Sequence, residues 1–280
     1  MNPKKRKFFR RALTGVVYAV AVTGCTLWGP LTFGLLFTLI SALTVHELGA
    51  LIKHNGKAEP NQLLPAVAAA CLFLATMGCC TRPSGGQHLF LPYIALLICL
   101  LIAELYLKKA DPISNWACTM LSQVYVALPF ALLNVLAYHP TPQGTIAYNP
   151  ILPLSVFVIL WLNDSGAYCV GVLLGRHRLF PRISPKKSWE GSIGGGIIAL
   201  IGSLVFARYF HFLSPGKWLG LAVVVVVFGA WGDLVESLFK RQLGLKDSGH
   251  VLPGHGGWLD RMDSMLLAVP AAVGYLWLVH

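Results

Sequence analysis

Residues 232–264 read GDLVESLFKRQLGLKDSGHVLPGHGGWLDRMDS and lie between two apolar segments. This charged stretch holds five carboxylates, four Lys or Arg and two His, whereas most of the remaining chain is apolar. Charged side chains between membrane-spanning segments are costly, and they usually mark a functional site. The charged stretch therefore indicates a membrane protein whose chemistry is concentrated here.

The spacing of the charged stretch predicts its local geometry. The run 218–231 before it is apolar and long enough for a helix, so Asp233 is expected near the C-terminal end of that helix. Residues three and four positions apart share a helix face. The polar stripe expected on this face consists of Asp233, Glu236, Ser237 and Lys240.

The sequence PGHGG at 253–257 ends the helical pattern, because Pro lacks an N–H and Gly adopts turn conformations. Asp260 and Asp263 follow in the first turn of the next apolar helix, where the helix dipole favours carboxylates. Two carboxylate-bearing helix ends joined by a loop can bind a hard cation such as Mg²⁺. The cations of the stretch suit phosphate oxygens, and they are Lys240, Arg241, Lys246 and Arg261.

The composition is that of a membrane protein. Of 280 residues, 56% are hydrophobic and 12% are charged, about half the charged share of a soluble domain. Nine apolar runs approach or reach the roughly 20 residues that a spanning helix needs. They cover about 12–28, 31–51, 62–80, 88–107, 116–137, 151–174, 191–210, 216–236 and 262–280. Because a lipid-exposed backbone must satisfy its own hydrogen bonds, we predict an all-α polytopic integral membrane protein with about nine transmembrane helices.

The net charge of +11 is explained by membrane topology. With the N-terminus in the cytoplasm, 19 of the 22 Lys and Arg fall on the inner side, and only Arg82, Arg208 and Lys217 fall outside. We therefore expect no nucleic-acid partner, and a multi-pass location in a bacterial inner (plasma) membrane with the site facing the cytoplasm. The seven Cys show no CxxC pair, which argues against a disulfide framework or a zinc site.

The uncharged, Pro-rich segment 138–150 is the expected boundary between two regions. Residues 1–150 are predicted to form an N-terminal transmembrane helical bundle of about five spans. Residues 151–280 are predicted to form a catalytic transmembrane region of about four spans, with cytoplasmic loops 175–190 and 237–261.

Two glutamates in the first region have simple interpretations. Glu47 either supports the site or a lid, or it snorkels or makes a buried hydrogen bond between helices. Glu104 is expected to pair with Lys108 across one helical turn.

The segment SLFKRQLGLKDSGHVLPGHGGWLDRMD, residues 237–263, resembles the signature of the phosphatidate cytidylyltransferases, also called CDP-diacylglycerol synthases. The shared pattern is Ser-x-apolar-Lys-Arg, then Lys-Asp, then His-Gly-Gly, Asp-Arg and Asp. Trp258 departs from it, since smaller aliphatic residues are more usual there. The blocks DSGAY at 164–168 and SPKKSWEG at 184–191 resemble two further family blocks in the same order. The resemblance covers roughly residues 155–275.

The resemblance implies that CTP and phosphatidate give CDP-diacylglycerol and pyrophosphate. It implies that Asp233 and Asp260 bind Mg²⁺, in a two-metal arrangement whose second ion can be monovalent, such as K⁺. Asp263, Ser237 and Lys240 would complete the catalytic set. The substrate-binding residues that we expect are Lys186, Lys187, Arg241, Lys246, Asp247, His255 and Arg261. A homodimer is an assembly that we leave open.

Two other functions remain open at this point. A CTP-dependent cytidylyltransferase or kinase acting on another membrane lipid, such as an isoprenoid, fits the same phosphate chemistry. An ion or solute transporter also gathers intramembrane acids, but it should show interrupted helices at the bilayer midplane in both halves. The acids of this chain cluster instead at the inner helix ends of one half.

Overall fold

The computed structural model of the chain describes residues 3–54, 58–82, 84–245, 248–249 and 256–279, with the side chains of the first helix described from Leu13 onward. In this part of the chain there are ten α-helices. They are α1 Pro3–Trp28, α2 Pro30–His54, α3 Leu63–Cys80, α4 Leu91–Leu107, α5 Pro112–Ser122, α6 Leu128–Ala137, α7 Ile151–Leu174, α8 Trp189–Tyr209, α9 Pro215–Gln242 and α10 Leu259–Val279. A 3₁₀ turn, Gln87–Phe90, precedes α4, and a π-helical segment, Gln123–Ala127, joins α5 to α6.

Two short antiparallel hairpins interrupt the helices. One pairs β1 (Tyr138–Pro140) with β2 (Ile146–Tyr148) in the segment that the sequence marks as a boundary. The other pairs β3 (Arg178–Phe180) with β4 (Ser184–Ser188) and so forms most of the predicted loop 175–190. These short strands do not alter the all-α class.

Within the described residues, eight helical segments are long and apolar enough to cross a membrane. They are Pro30–His54, Leu63–Cys80, Gln87–Leu107, Pro112–Ala137, Ile151–Leu174, Trp189–Tyr209, Pro215–Gln242 and Leu259–Val279. The predicted first span corresponds to the shorter apolar helix Leu13–Trp28. The prediction of an all-α polytopic membrane protein is confirmed. The segment α9 continues past its predicted end at 236 to Gln242, so Ser237, Lys240 and Arg241 lie on a helix.

The chain divides into two compact units, Met1–Pro150 with Leu243–Met262, and Ile151–Gln242 with Asp263–His280. In the first unit, the buried rings of Phe33, Phe37 and Phe73 pack together, with centroids 5.0 and 6.1 Å from that of Phe33. In the second unit, the fully buried Trp218 stacks on Phe206 at 5.5 Å. Each unit therefore has an aromatic core of its own.

The helices α7 and α8 of the second unit approach each other closely because glycines face the partner helix. A Cβ added at Gly195 would lie 2.4 Å from the carbonyl oxygen of Asn163, and one at Gly191 would lie 2.8 Å from that of Ala167. Small residues allow helix backbones to pack closely in membranes. Gly166 on α7 has the same role, because a Cβ on it would lie 3.0 Å from the Cα of Gly195.

The prediction for Glu104 named the wrong lysine. The helix α4 ends at Leu107, and Lys108 adopts a left-handed conformation with φ 48°. This turn takes Lys108 off the helix, so the four-residue spacing no longer brings it to Glu104. Instead, Lys109 Nζ lies 3.5 Å from the buried Glu104 carboxylate, and Asn115 Nδ2 donates to the same group at 2.9 Å.

Candidate functional site

The second unit contains a cavity of about 490 Å³. This volume lies within the range of about 300–1,000 Å³ that is typical of small-molecule sites. Both acidic and basic side chains line this cavity, namely Asp164, Arg178, Lys186, Lys187 and Asp233. The sequence predicted three of these five as site residues. The cavity therefore brings the basic loop 175–190 and the acidic end of α9 together.

The carboxylate of Asp233 is held from two sides. The ammonium of Lys187 lies 2.5 Å from Oδ2, and the hydroxyl of Ser237 donates to Oδ1 at 3.1 Å. The second bond runs along α9 from a residue four positions later, as the polar stripe predicts. Lysine and aspartate here are both about 28% exposed, so the ion pair faces the cavity while being partly shielded.

The stripe contains a second ion pair, which involves Lys240. Its ammonium lies 2.6 Å from Oε2 of Glu236, whose side chain is fully buried. A buried carboxylate requires a partner, and Lys240 provides the neutralising charge one turn along α9. In this structure Lys240 is paired with Glu236, and its place in the catalytic set stays a prediction.

Two further acids of the second unit are close to the Asp233–Lys187 pair. The carboxyl group of Asp263 is repelled by Asp233 and Asp164 and attracted by Lys187. The backbone N–H of Ser264 donates to Asp263 Oδ1 at 2.6 Å. Sequence reasoning assigned no role to Asp164, although an acid in the middle of an apolar helix is itself a signal.

The hairpin β3–β4 is fastened to the start of α8. The hydroxyl of Ser188 accepts a hydrogen bond from the N–H of Gly191 at 3.2 Å and so caps the helix. The Glu190 carboxylate accepts from the N–H groups of Arg176 and His177 and pairs with His177 Nδ1 at 2.6 Å. These bonds fix the chain on both sides of Lys186 and Lys187, which face the cavity.

Other predicted residues of the second unit stand outside the cavity lining. In the described part of the chain, that lining does not include Ser237, Lys240, Arg241 or Asp263. Arg241 instead donates from Nε to the carbonyl oxygen of Ile183 at 3.4 Å, which links α9 to the hairpin.

The remaining predicted residues belong to the segment counted with the first unit. Asp260 Oδ2 accepts from the N–H groups of Ser248 and Gly257, both at 2.9 Å. Gly256 has φ +80°, and a Cβ on it would lie 2.0 Å from the same oxygen. The first Gly of the His-Gly-Gly element is therefore required both by its positive φ and by the close approach of the Asp260 carboxylate.

Arg261 is exposed and lies in the first turn of α10. The predicted residues Lys246, Asp247 and His255 lie outside the described part of the chain.

The donor chemistry suits magnesium. Mg²⁺ is usually bound by one or two carboxylates, with substrate phosphates and water completing its shell. Asp263 interacts with Asp233, Asp164 and Lys187. When ionised, these three acids carry more charge than the one lysine neutralises, and the excess favours a cation. Among the described residues, no group of three or more His, Cys, Asp or Glu is arranged to hold a metal by itself.

Comparisons with known proteins give a consistent result. A family model described as the cytidylyltransferase family matches residues 9–279. The phosphatidate cytidylyltransferases of Staphylococcus haemolyticus and Staphylococcus saprophyticus are 40% and 41% identical over 179 residues, and that of Staphylococcus aureus is 39% identical. Each alignment covers 63% of this chain and 65% of the relative. The matched region thus spans just under two thirds of these relatives.

Proposed function

The chain belongs to the cytidylyltransferase family, and we propose that it transfers the cytidylyl group of CTP to phosphatidate, giving CDP-diacylglycerol and pyrophosphate. The relatives named phosphatidate cytidylyltransferase support this choice of lipid. The signature at 237–263 and the blocks at 164–168 and 184–191 are the parts of the sequence that resemble this family.

The reaction needs little covalent chemistry from the protein. An oxygen of the lipid phosphate attacks the α-phosphorus of CTP, and the bond from this phosphorus to the bridging oxygen breaks. Pyrophosphate leaves with that oxygen and the bonding electrons. Because the attacking phosphate is already ionised at neutral pH, the main obstacle is repulsion between two anions. Positioned cations lower this barrier by holding both anions and by balancing their charge.

One observation carries the proposed site: basic and acidic side chains line the same cavity. Lys186, Lys187 and Arg178 are suited to bind phosphate oxygens there. Lys187 also pairs with Asp233, so it links the anion-binding side to the acidic side. Arg241 and Arg261 remain proposed phosphate ligands, and Lys246, Asp247 and His255 remain predictions.

We further propose Asp233 and Asp260 as ligands of Mg²⁺, with Asp263 and Ser237 completing the site and a monovalent second ion such as K⁺. Bound magnesium would supply positive charge against the phosphates. Ser237 orients Asp233 by its hydrogen bond. Lys240 contributes by neutralising the buried Glu236 rather than by free contact with phosphate.

The protein is a multi-pass membrane protein, and we propose a bacterial inner membrane location with the site facing the cytoplasm. The asymmetry of Lys and Arg supports this orientation. CTP would arrive from the aqueous phase, and phosphatidate would enter from the bilayer with its acyl chains still in lipid. Nucleic acid is not a proposed partner, and the homodimer stays an open prediction.

The test uses detergent-solubilised protein with CTP, Mg²⁺ and a panel of lipid phosphates. We expect pyrophosphate release with phosphatidate, loss of turnover with a chelator and recovery with added Mg²⁺. Release with an isoprenoid phosphate but not with phosphatidate would instead support the alternative lipid. Release of CDP in place of pyrophosphate would indicate a kinase, and no CTP consumption with any lipid would refute the proposed function.

A further inference from the structure

Glu47, on α2, reaches the start of α10 within the first unit. Its side chain is buried, with 8% of the residue exposed. Oε2 accepts from the N–H of Trp258 at 2.8 Å, and Oε1 accepts from the N–H of Leu259 at 3.3 Å. The first N–H groups of a helix have no acceptor within the helix. A carboxylate from a residue more than 200 positions earlier therefore caps α10, where the helix dipole also favours negative charge.

The same carboxylate holds Ser248, whose hydroxyl donates to Glu47 Oε1. Ser248 in turn makes two bonds to Asp260. Its N–H donates to Asp260 Oδ2 at 2.9 Å, and its hydroxyl oxygen accepts from the N–H of Asp260 at 3.3 Å. A continuous chain of hydrogen bonds thus runs from Glu47 through Ser248 to both the backbone and the carboxylate of Asp260.

Gly257 lies beside this chain of hydrogen bonds, and the close approach of the Glu47 carboxylate requires a glycine at this position. A Cβ on Gly257 would lie 1.8 Å from Glu47 Oε1, closer than any non-bonded contact allows. The N–H of Gly257 also donates to Asp260 Oδ2 at 2.9 Å. Gly257 therefore contacts the carboxylates of both acids, and the second Gly of the His-Gly-Gly element has a structural explanation.

We propose that Glu47 is a positioning residue: by holding Ser248 and the first amides of α10, it fixes the orientation of the Asp260 carboxylate for magnesium binding. This inference rests on the proposed function, in which Asp260 is a ligand. Groups that orient metal ligands typically contribute about 10- to 100-fold to metal affinity or activity. A carboxylate buried in a membrane protein is costly, and here its three donors account for its presence.

The first experiment compares Glu47→Gln with Glu104→Gln. Both glutamates are buried in the first unit, but Glu104 bonds to Asn115 and Lys109 instead. In the variant, an NH₂ group replaces one acceptor of Glu47 and faces an N–H or O–H donor. We expect the Mg²⁺ concentration for half-maximal turnover to rise about 10- to 100-fold, with a smaller loss of kcat at saturating Mg²⁺. Glu104→Gln should leave the magnesium dependence unchanged.

A second variant tests the link that the Ser248 hydroxyl makes between Glu47 and Asp260, and it does not remove a buried charge. Ser248→Ala deletes the hydroxyl but keeps the N–H that donates to Asp260. It should raise the magnesium requirement in the same direction as Glu47→Gln. The double variant should be much less impaired than the product of the two single effects, because both act through one chain of bonds. Independent, multiplying effects would refute the inference.

Hydrogen exchange separates this inference from the proposed function. In Glu47→Gln, the amides of Trp258 and Leu259 should exchange faster than in the unaltered protein, while in Glu104→Gln they should not. If the unaltered protein does not use CTP and phosphatidate, the proposed function fails, yet the exchange rates still test whether Glu47 holds these amides. Unchanged exchange at Trp258 and Leu259, or an unchanged magnesium requirement in an active Glu47→Gln protein, would overturn the positioning role.

Discussion

The ammonium of Lys187 lies 2.5 Å from Oδ2 of Asp233, and both residues line the same cavity. Lys187 comes from the hairpin before α8, whereas Asp233 comes from the C-terminal half of α9. This pair therefore joins two separate sequence blocks, one basic and one acidic. It also means that a bound phosphate and a bound cation would each change the balance of charge around the other.

Replacing Lys187 by Met should reduce turnover strongly. The change removes a charge beside the proposed phosphates and leaves Asp233 and Asp263 without the cation that interacts with both. Loss of one preorganised donor typically lowers kcat about 10²- to 10³-fold. Steady-state rates with CTP and phosphatidate give the measurement. Lys217→Met, at the other end of α9, is the control and should retain normal rates; equal activity of both variants would remove Lys187 from the site.

The change Asp260→Asn should abolish magnesium-dependent conversion of CTP and phosphatidate while the protein still inserts into membranes. Asparagine loses the negative charge, and its NH₂ group cannot accept from the N–H groups of Ser248 and Gly257. Membrane fractionation would measure insertion, and pyrophosphate release would measure turnover. Full turnover of an inserted Asp260→Asn protein would contradict the metal role.

The change Gly256→Ala should inactivate the protein more than its backbone strain alone explains. Gly256 and Gly144 have similar φ values of +80° and +76°, but a Cβ at Gly144 would meet no heavy atom within 4 Å. Both alanine variants therefore share a strain of about 1–3 kcal/mol, and only Gly256→Ala displaces the Asp260 carboxylate. Melting temperature and turnover should be measured for both. We expect a larger loss of stability in Gly256→Ala, because the clash with Asp260 adds to the strain, and a loss of turnover in Gly256→Ala only.

The change Gly195→Ala should destabilise the packing of α7 against α8 in the second unit. Its Cβ would lie 2.4 Å from the carbonyl oxygen of Asn163, and overpacking of this kind typically costs about 1–3 kcal/mol. The adjacent change Gly196→Ala is a matched control, because its nearest contact would be Val226 Cγ1 at 3.4 Å. Thermal unfolding in detergent should show a lower melting temperature for the first variant only. Equal melting temperatures would mean that α7 and α8 accommodate the added methyl group without loss of stability, and would contradict this prediction.

The membrane class was predictable because spanning helices need long apolar runs, and eight of these runs are helical spans within the described residues. The bond from Ser237 to Asp233 was also predictable from helix spacing. The prediction for Lys108 failed because spacing rules hold only while the helix continues, and α4 ends at Leu107. The predicted apolar run 88–107 already ended at Leu107, so the error lay in extending helical spacing one residue beyond that end.

The contacts of Glu47 were beyond local pattern analysis for a different reason. Its donors lie in a segment more than 200 residues later, and no periodicity connects positions so far apart. An acid within a membrane segment is a signal of function, but the sequence left the role of Glu47 open and assigned none to Asp164. Only the packed structure identifies their neighbours: backbone amides and Ser248 for Glu47, and the cavity for Asp164.

The cap on α10 has a consequence for biosynthesis. Ribosomes add residues from the N-terminus, so Glu47 emerges well before Trp258 and Leu259, which follow 211 and 212 positions later. During translation, the nascent chain must accommodate this acid without two of its eventual donors. The hydrogen bonds of Glu47 on α2 therefore form only after the start of α10 has been synthesised. Premature termination before residue 258 would leave the Glu47 carboxylate without the N–H donors of Trp258 and Leu259.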